Sequence, residues 1–185
     1  MLGTMAYLGL DCSSPYLALA LYDGGLLATV SEYVGRNHAQ RLTSALDALF
    51  ARAGRTPGDL RSVCVGVGPG SYTGLRVGVA AARGIARGLG VPLRGESTLA
   101  AIAAGILNED QPNGIVALDA RRGNVYAGVF QWREGELERA GGLFKAPRDT
   151  LSAQGLPYFE DIPPDAGYLA RRGALGANTV APLYL

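Results

Sequence analysis

The chain has 185 residues, is 48% hydrophobic and carries a formal net charge of +1 at pH 7. That length fits one large domain or two small lobes with a real core, and the near-zero charge gives no basic field for a stand-alone nucleic-acid partner. Two cysteines, one histidine and no apolar run near 18 residues predict no disulfide framework, no metal site and no membrane span, so a soluble cytoplasmic protein is expected.

Taken in order, Met5 to Leu10 reads as a buried strand ending at Asp11-Cys12-Ser13-Ser14. Tyr16 to Tyr22 and Leu26 to Val34 read as two more strands, with Asp23-Gly24-Gly25 as the hairpin between them. Asp11, Ser13 and Ser14 suit a cation or a phosphate, but they equally suit a turn that hydrogen-bonds its own backbone, and spacing alone favours the turn. His38 to Ala53 reads as a helix: Leu42, Ala45, Leu46, Leu49, Phe50 and Ala53 recur at helical spacing, Asn37 is the expected N-cap, and Gly54 with Pro57 stops it. The single histidine, His38, excludes a two-histidine metal motif and reads as a first-turn polar residue. Cys12 and Cys64 lie in apolar runs and read as buried reduced thiols.

Leu60 to Val67 is a fourth expected strand, running into Gly68-Pro69-Gly70-Ser71 and a helix from Thr73 to Leu89. Strand, glycine-rich turn and helix bring backbone N–H groups toward an anion. However, no lysine follows the glycines and no dinucleotide fingerprint registers, which favours a tight corner over a phosphate cradle. Along the helix, Arg76, Arg83 and Arg87 share one edge. Gly74, Gly78, Ala81, Ile85 and Gly88 share another, where a second helix could approach closer than the usual separation of about 8–10 Å. Glycine costs about 1 kcal/mol against alanine inside a helix, so its repetition points to packing. The alternatives are a helix buried on its own sheet with a solvated arginine edge, or one that also packs on another chain.

A strand at Val91 to Arg94 and a helix at Thr98 to Leu107, capped by Ser97, complete the first half. The polar stretch Asn108 to Asn113 suggests a lobe boundary, giving lobes 1–107 and 108–185. The second opens with Gly114 to Leu118, then the turn Asp119 to Gly123. A hairpin of Asn124 to Trp132 and Glu136 to Gly141 follows, turned by Arg133-Glu134-Gly135. After Pro147 the signal weakens to a short helix, a strand near Tyr158 and a helix near Tyr168. Three strands, helix, strand, helix is the order of a ribonuclease-H-like lobe, so the expected class is α/β with the actin-like ATPase fold: two lobes of mixed sheet flanked by helices.

Several stretches together resemble the TsaB (YeaZ) family: Leu8 to Ser14, His38 to Leu42, Gly68 to Gly78, Ser97 to Leu99 and Leu118 to Arg121. Order and spacing are similar over residues 6–130; the Gly-Pro-Gly-Ser-x-Thr-Gly-x-Arg stretch is the specific one. Pro182 to Leu185 resembles the family's closing segment, but the arginine and short tail that usually follow are missing, so the chain is expected to stop early. The resemblance implies a non-catalytic subunit in bacterial synthesis of N6-threonylcarbamoyladenosine. That modification sits beside the anticodon of tRNAs reading codons that begin with A. Its implied partners are the catalytic paralogue TsaD and, in the larger assembly, the ATPase TsaE, with tRNA contacted mainly through the complex and a homodimer forming without TsaD. The docking surface it implies is the two N-terminal-lobe helices, here through Leu42, Ala45, Leu46, Leu49, Gly74, Arg76, Val77, Gly78, Ala81, Arg83 and Ile85. It implies no catalytic residue, no metal and no cofactor held by this chain alone, with a nucleotide at a subunit boundary left open.

The alternative is an actin-like-fold ATPase or kinase, in which Asp11, Ser13, Ser14, Gly68, Gly70 and Ser71 would be nucleotide contacts, vestigial or active. Against it, no second phosphate loop is evident in the second half. A peptidase is disfavoured by the single histidine and the lack of a metal-ligand pair.

Overall fold

The structure is a computed structural model that describes residues 5–152 and 155–176. β1 (Ala6–Asp11), β2 (Tyr16–Tyr22) and β3 (Leu26–Tyr33) form an antiparallel meander. α1 (His38–Ala53) carries the chain to β4 (Leu60–Gly66), and α2 (Tyr72–Leu89) carries it to β5 (Leu93–Glu96). The sheet order is β3-β2-β1-β4-β5, with β4 parallel to β1 and β5 parallel to β4. This is the ribonuclease-H-like arrangement.

The second sheet starts after α3 (Thr98–Ala104). β6 (Asn113–Asp119) and β7 (Asn124–Arg133) are its antiparallel centre. β8 (Glu136–Arg139) and β9 (Phe144–Pro147) pair with successive segments of one edge of β7. α4 (Arg148–Ser152) leads on toward β10 (Tyr158–Glu160), which runs parallel to β6, and α5 (Ala166–Leu175) follows. The β7–β8 turn places Glu134 and Gly135 at φ 52° and 82°, the left-handed pair that a two-residue hairpin requires. β9 was not foreseen, and β5 starts two residues later than its apolar pattern suggests.

Alternation along β1 separates two kinds of packing. Ala6, Leu8 and Leu10 join the core formed with α1 and α2, where Leu42, Leu49, Phe50, Val79, Ala82 and Ala86 are buried. Each fully buried leucine there contributes roughly 1.5–3 kcal/mol over an exposed one. On the other face, α5 lies against small residues: Ala166 packs on Ala18 and Ala20, and Leu169 on Cys64. A Cβ at Gly9 would come within 2.6 Å of Ala170 N, so only glycine admits the helix at this distance. Ser62 Oγ donates to the Gly173 carbonyl at 3.0 Å and Arg172 pairs with Glu96 at 3.0 Å, tying α5 to β4 and β5. The helices therefore cross the line between the sheets: α3 precedes the second sheet yet packs on it, and α5 follows that sheet yet packs on the first.

Asn37 is the N-cap of α1 as expected, without a side-chain capping bond. Two expectations about the docking face are corrected here. Leu42, Ala45 and Leu49 are not docking residues, because they are buried against this chain's own sheet, and of the four named on α1 only Leu46 is partly accessible. Gly74 and Gly78 are not outer-face residues either: a Cβ at Gly74 would strike the Cys12 carbonyl, and one at Gly78 would lie 3.2 Å from Cys12 Cβ and 3.3 Å from Leu10 Cδ2. Glycine at these sites lets α2 sit close on β1. The closing segment Pro182 to Leu185 lies outside the described residues.

Gly78→Leu therefore tests monomer folding rather than docking. Overpacking of this kind is expected to cost about 1–3 kcal/mol, read as a lower urea midpoint of the isolated chain. An unchanged midpoint would show that the α2–β1 contact is looser than described.

Candidate functional site

Asp11 ends β1, and the next residues turn back into β2, so its carboxyl is delivered to the foot of the cleft between the sheets. It is fully buried. Ser13 supplies a backbone N–H to Oδ1 at 2.7 Å, and its hydroxyl lies 2.6 Å from the same oxygen. Thr98 Oγ1, from the first residue of α3, lies 2.7 Å from Oδ2 and 2.6 Å from Ser13 Oγ. Gly68 N–H donates to Thr98 Oγ1 at 3.1 Å, and the Gly68 carbonyl accepts from Thr98 N at 2.9 Å. Gly66 is the residue that makes room, since a Cβ there would overlap Asp11 Oδ2.

The glycine-rich turn is a corner built on this cluster. The Gly68–Pro69 peptide is cis and Gly68 has φ 93°, in the region that favours glycine. Ser71 N donates to the Ser13 carbonyl at 2.7 Å, a Cβ at Gly70 would strike that same carbonyl, and Ser71 Oγ caps α2 by accepting from Gly74 N at 3.3 Å. The six residues expected as nucleotide contacts thus do come together, but the Asp11 and Ser13 side chains are bonded to each other and to Thr98, and Gly68 is bonded to Thr98. Ser14 Oγ likewise accepts from Tyr16 N at 3.2 Å. Burial raises the Asp11 carboxyl above its ordinary range; the hydrogen bonds of Ser13 and Thr98 and the charge of His38 offset only part of this.

Above the corner a cavity of about 660 Å³ separates the lobes. Ser13, Ser14, Gly70, Ser71, Tyr72, Thr73, Tyr33 and Arg36 line one wall; Asp119, Arg121, Tyr126 and Asp161 line the other. Arg121 and Arg122 adopt φ 65° and 54°, unusual for residues with side chains and a feature that concentrates at functional loops. Behind that wall Arg148 bonds Glu160 at 2.6 Å and Asp119 at 3.2 Å, while Tyr158 donates to Glu160 at 2.8 Å. Burial pushes the Glu160 carboxyl up, but these hydrogen bonds outweigh it and hold it below its ordinary value. The second-lobe wall, Thr98 and Gly66 were not anticipated as site residues. The turn chemistry of Asp119 to Gly123, the Ser97-Thr98 start of α3 and the family-like stretches Ser97 to Leu99 and Leu118 to Arg121 were the signals that could have found them.

His38 is buried, with Nε2 3.2 Å from the Tyr16 carbonyl. Cys12 and Cys64 are free buried thiols; burial, then the negative charge of Glu96, pushes Cys64 up to about 12, which makes it a poor nucleophile. Among the described residues no group of three potential metal ligands occurs, and no helix is long and apolar enough to cross a membrane.

The outer face of α2 is a separate surface. Val77, Ala81 and Ile85 are partly buried at its margin, and Ala80, Gly84 and Gly88 are exposed along its crest. A Cβ at Gly84 or Gly88 would meet nothing within 4 Å, so these two glycines are not there for intramolecular packing. Arg83 and Arg87 are exposed, and Arg76 lies over the Tyr72 ring at 5.3 Å.

Fold and cleft define a two-lobed protein of the actin-like ATPase fold. Residues 24–162 match the family described as TsaD, tRNA N6-adenosine threonylcarbamoyltransferase. The chain is similar to the tRNA threonylcarbamoyladenosine biosynthesis protein TsaB of Bacillus subtilis (strain 168), with 36% identity over 73% of this chain and 59% of that one. It is 32% identical to TsaB of Escherichia coli (strain K12) over 69% of this chain and 55% of that one. It thus spans somewhat over half the length of these curated relatives. Among solved structures it is similar to YeaZ from Pseudomonas aeruginosa, with TM-score 0.80 and 27% identity over 98% of this chain and 100% of that one. A further Pseudomonas aeruginosa structure, described as an uncharacterized protein with similarity to peptidase YEAZ, gives TM-score 0.86 and 26% identity over 98% and 99%. The chain belongs to the tRNA N6-adenosine threonylcarbamoyltransferase family, and within it is similar to the proteins named TsaB and YeaZ.

Gly66→Ala tests the buried cluster. The added methyl must displace Asp11 or the β4 backbone, with an expected loss of about 2–3 kcal/mol, seen as a fall in thermal midpoint of roughly 4–12 °C. A midpoint equal to wild type would show that the carboxyl does not lie against Gly66.

Proposed function

We propose that this chain is a non-catalytic subunit in threonylcarbamoyladenosine synthesis on tRNA, acting by docking its first lobe on the catalytic paralogue TsaD. The observation that carries this reading is the outer face of α2, where Gly84 and Gly88 stand open above a partly apolar margin. A partner helix could lie almost against the backbone there, where larger side chains would hold it off. Leu46 of α1 extends the margin, and Arg76, Arg83 and Arg87 form a charged rim that suits acidic residues on a partner. Self-pairing through the same face would give a homodimer in the absence of TsaD. TsaE would join the larger assembly, and tRNA would be held mainly by the complex, in keeping with the net charge of +1.

The chemistry of Asp11 supports a non-catalytic role. Both its oxygens are engaged by Ser13 and Thr98, which leaves neither directed at a substrate. An ATPase or kinase remains the second reading, favoured by the cleft of about 660 Å³ with the first turn of α2 at its edge. There a nucleotide would meet Ser71, Thr73, Arg36 and Arg121.

Gly84→Arg separates docking from folding. The side chain has open space, and arginine is the better helix former by up to about 1 kcal/mol, so the monomer is expected to keep its thermal midpoint. Size-exclusion chromatography with light scattering is expected to show a 1:1 complex of wild type with the TsaD of the same organism, and none with the variant. A variant that co-elutes with TsaD like wild type would rule out this face. Asp11→Asn is expected to leave tRNA modification by the assembled complex near the wild-type rate; loss of modification with the complex intact would revive the nucleotide reading.

A further inference from the structure

We propose that Asp11 is protonated at neutral pH and donates through Oδ2 to Thr98 Oγ1, closing a ring of four oxygens that locks α3 to the end of β1 as an uncharged joint. The argument is a count of protons. Three oxygen pairs approach closely: Asp11 Oδ1 and Ser13 Oγ at 2.6 Å, Ser13 Oγ and Thr98 Oγ1 at 2.6 Å, and Thr98 Oγ1 and Asp11 Oδ2 at 2.7 Å. Each distance is that of an O–H···O hydrogen bond and requires one proton. The two hydroxyls supply two. If Asp11 were ionised, both would be drawn to the carboxylate, and the Ser13 and Thr98 oxygens would face each other lone pair to lone pair.

A third proton on the carboxyl resolves the conflict in one direction around the ring. Asp11 Oδ2–H donates to Thr98, Thr98 donates to Ser13, and Ser13 donates to Asp11 Oδ1. Oδ1 is then the carbonyl oxygen and also accepts Ser13 N–H at 2.7 Å. Thr98 Oγ1 accepts a second time, from Gly68 N–H at 3.1 Å. Both hydroxyls then donate once and accept, Oδ2 donates and Oδ1 accepts, each in keeping with its chemistry.

The surroundings agree. The carboxyl is fully buried, with Gly66 of β4 closed over Oδ2, and desolvation favours the neutral acid. β2 presents Ala18 opposite it, α3 presents Thr98, and α2 reaches the cluster through its uncharged first turn. The titratable groups acting here are His38 of α1, whose charge favours ionisation, and the neutral thiols of Cys12 and Cys64. The foot of the cleft consequently bears no negative charge with which to recruit a cation.

The first test is the carboxyl carbon of Asp11 in the 13C-labelled wild-type chain, assigned through bonds from its own amide and followed from pH 4 to 8. The expected result is the chemical shift of a protonated acid through pH 7; a shift that titrates near the ordinary value of about 3.9 would overturn the proposal. The second compares folding stability with Asp11→Asn, whose amide can donate to Thr98 and accept from Ser13 as the neutral acid does. The unfolded chain releases this proton near pH 3.9 while the folded state retains it. Wild type should therefore lose stability relative to the variant as pH rises from about 4, by up to tenfold in folding constant per pH unit until the folded group titrates. A ratio that is flat over pH 4–8, or that moves in favour of wild type, would refute it. Added Mn2+ should leave the Asp11 resonance sharp, and selective broadening there would also count against an uncharged joint.

Discussion

The rest of the structure depends on the contact between Asp11, Ser13 and Thr98. These residues come from the end of β1, the turn after it and the start of α3, so one buried polar cluster fixes the relation of the two sheets. A buried group of this kind is tolerable only when its hydrogen bonds are complete. Completeness here demands particular neighbours: glycine at 66, where no side chain fits, and the Gly68–Pro69 corner, which offers both a donor and an acceptor to Thr98. The conspicuous glycine-rich turn is thus explained first by what lies beneath it.

A second constraint is the closeness of helix to sheet. Gly9 under α5, and Gly74 and Gly78 on α2, each sit where a side chain would meet backbone or core atoms. They exchange side-chain burial for close approach, consistent with a chain holding 27 glycines among 185 residues. Gly84 and Gly88 break that pattern. They spend helix stability of about 1 kcal/mol each with nothing from this chain against them, and that discrepancy supports an intermolecular role for this face.

The cleft joins these features to the proposed assembly. Its first-lobe wall is the turn built on the Asp11 cluster, and its second-lobe wall is the loop with Arg121 and Arg122 in the left-handed region. If α2 docks on a partner, the same helix borders the cleft at its N-terminal end, so the docked subunit and any cleft ligand would share one rigid element.

Much of the fold could be read in advance because periodicity is local. Alternation and helical spacing marked β1 to β4, α1, α2, β6 and β7 to within a residue at each end, and the three-strand, helix, strand, helix order identified the lobe. Motif residues from distant parts of the chain also pointed to the family. Which face of a helix is used is a different kind of fact. Gly74, Gly78, Ala81, Ile85 and Gly88 share one edge in sequence, yet the first two are closed by Cys12 and Leu10 and the last is open. Leu42, Ala45 and Leu49 make an apolar stripe whichever surface it meets; the tertiary structure spent it on the chain's own core. Nor did spacing join Asp11 to Thr98, 87 residues away. The sequence determined the elements and their order through short-range steric and apolar patterns, while the protonation and contacts of the buried cluster were decided only when folding brought its oxygens together and excluded water.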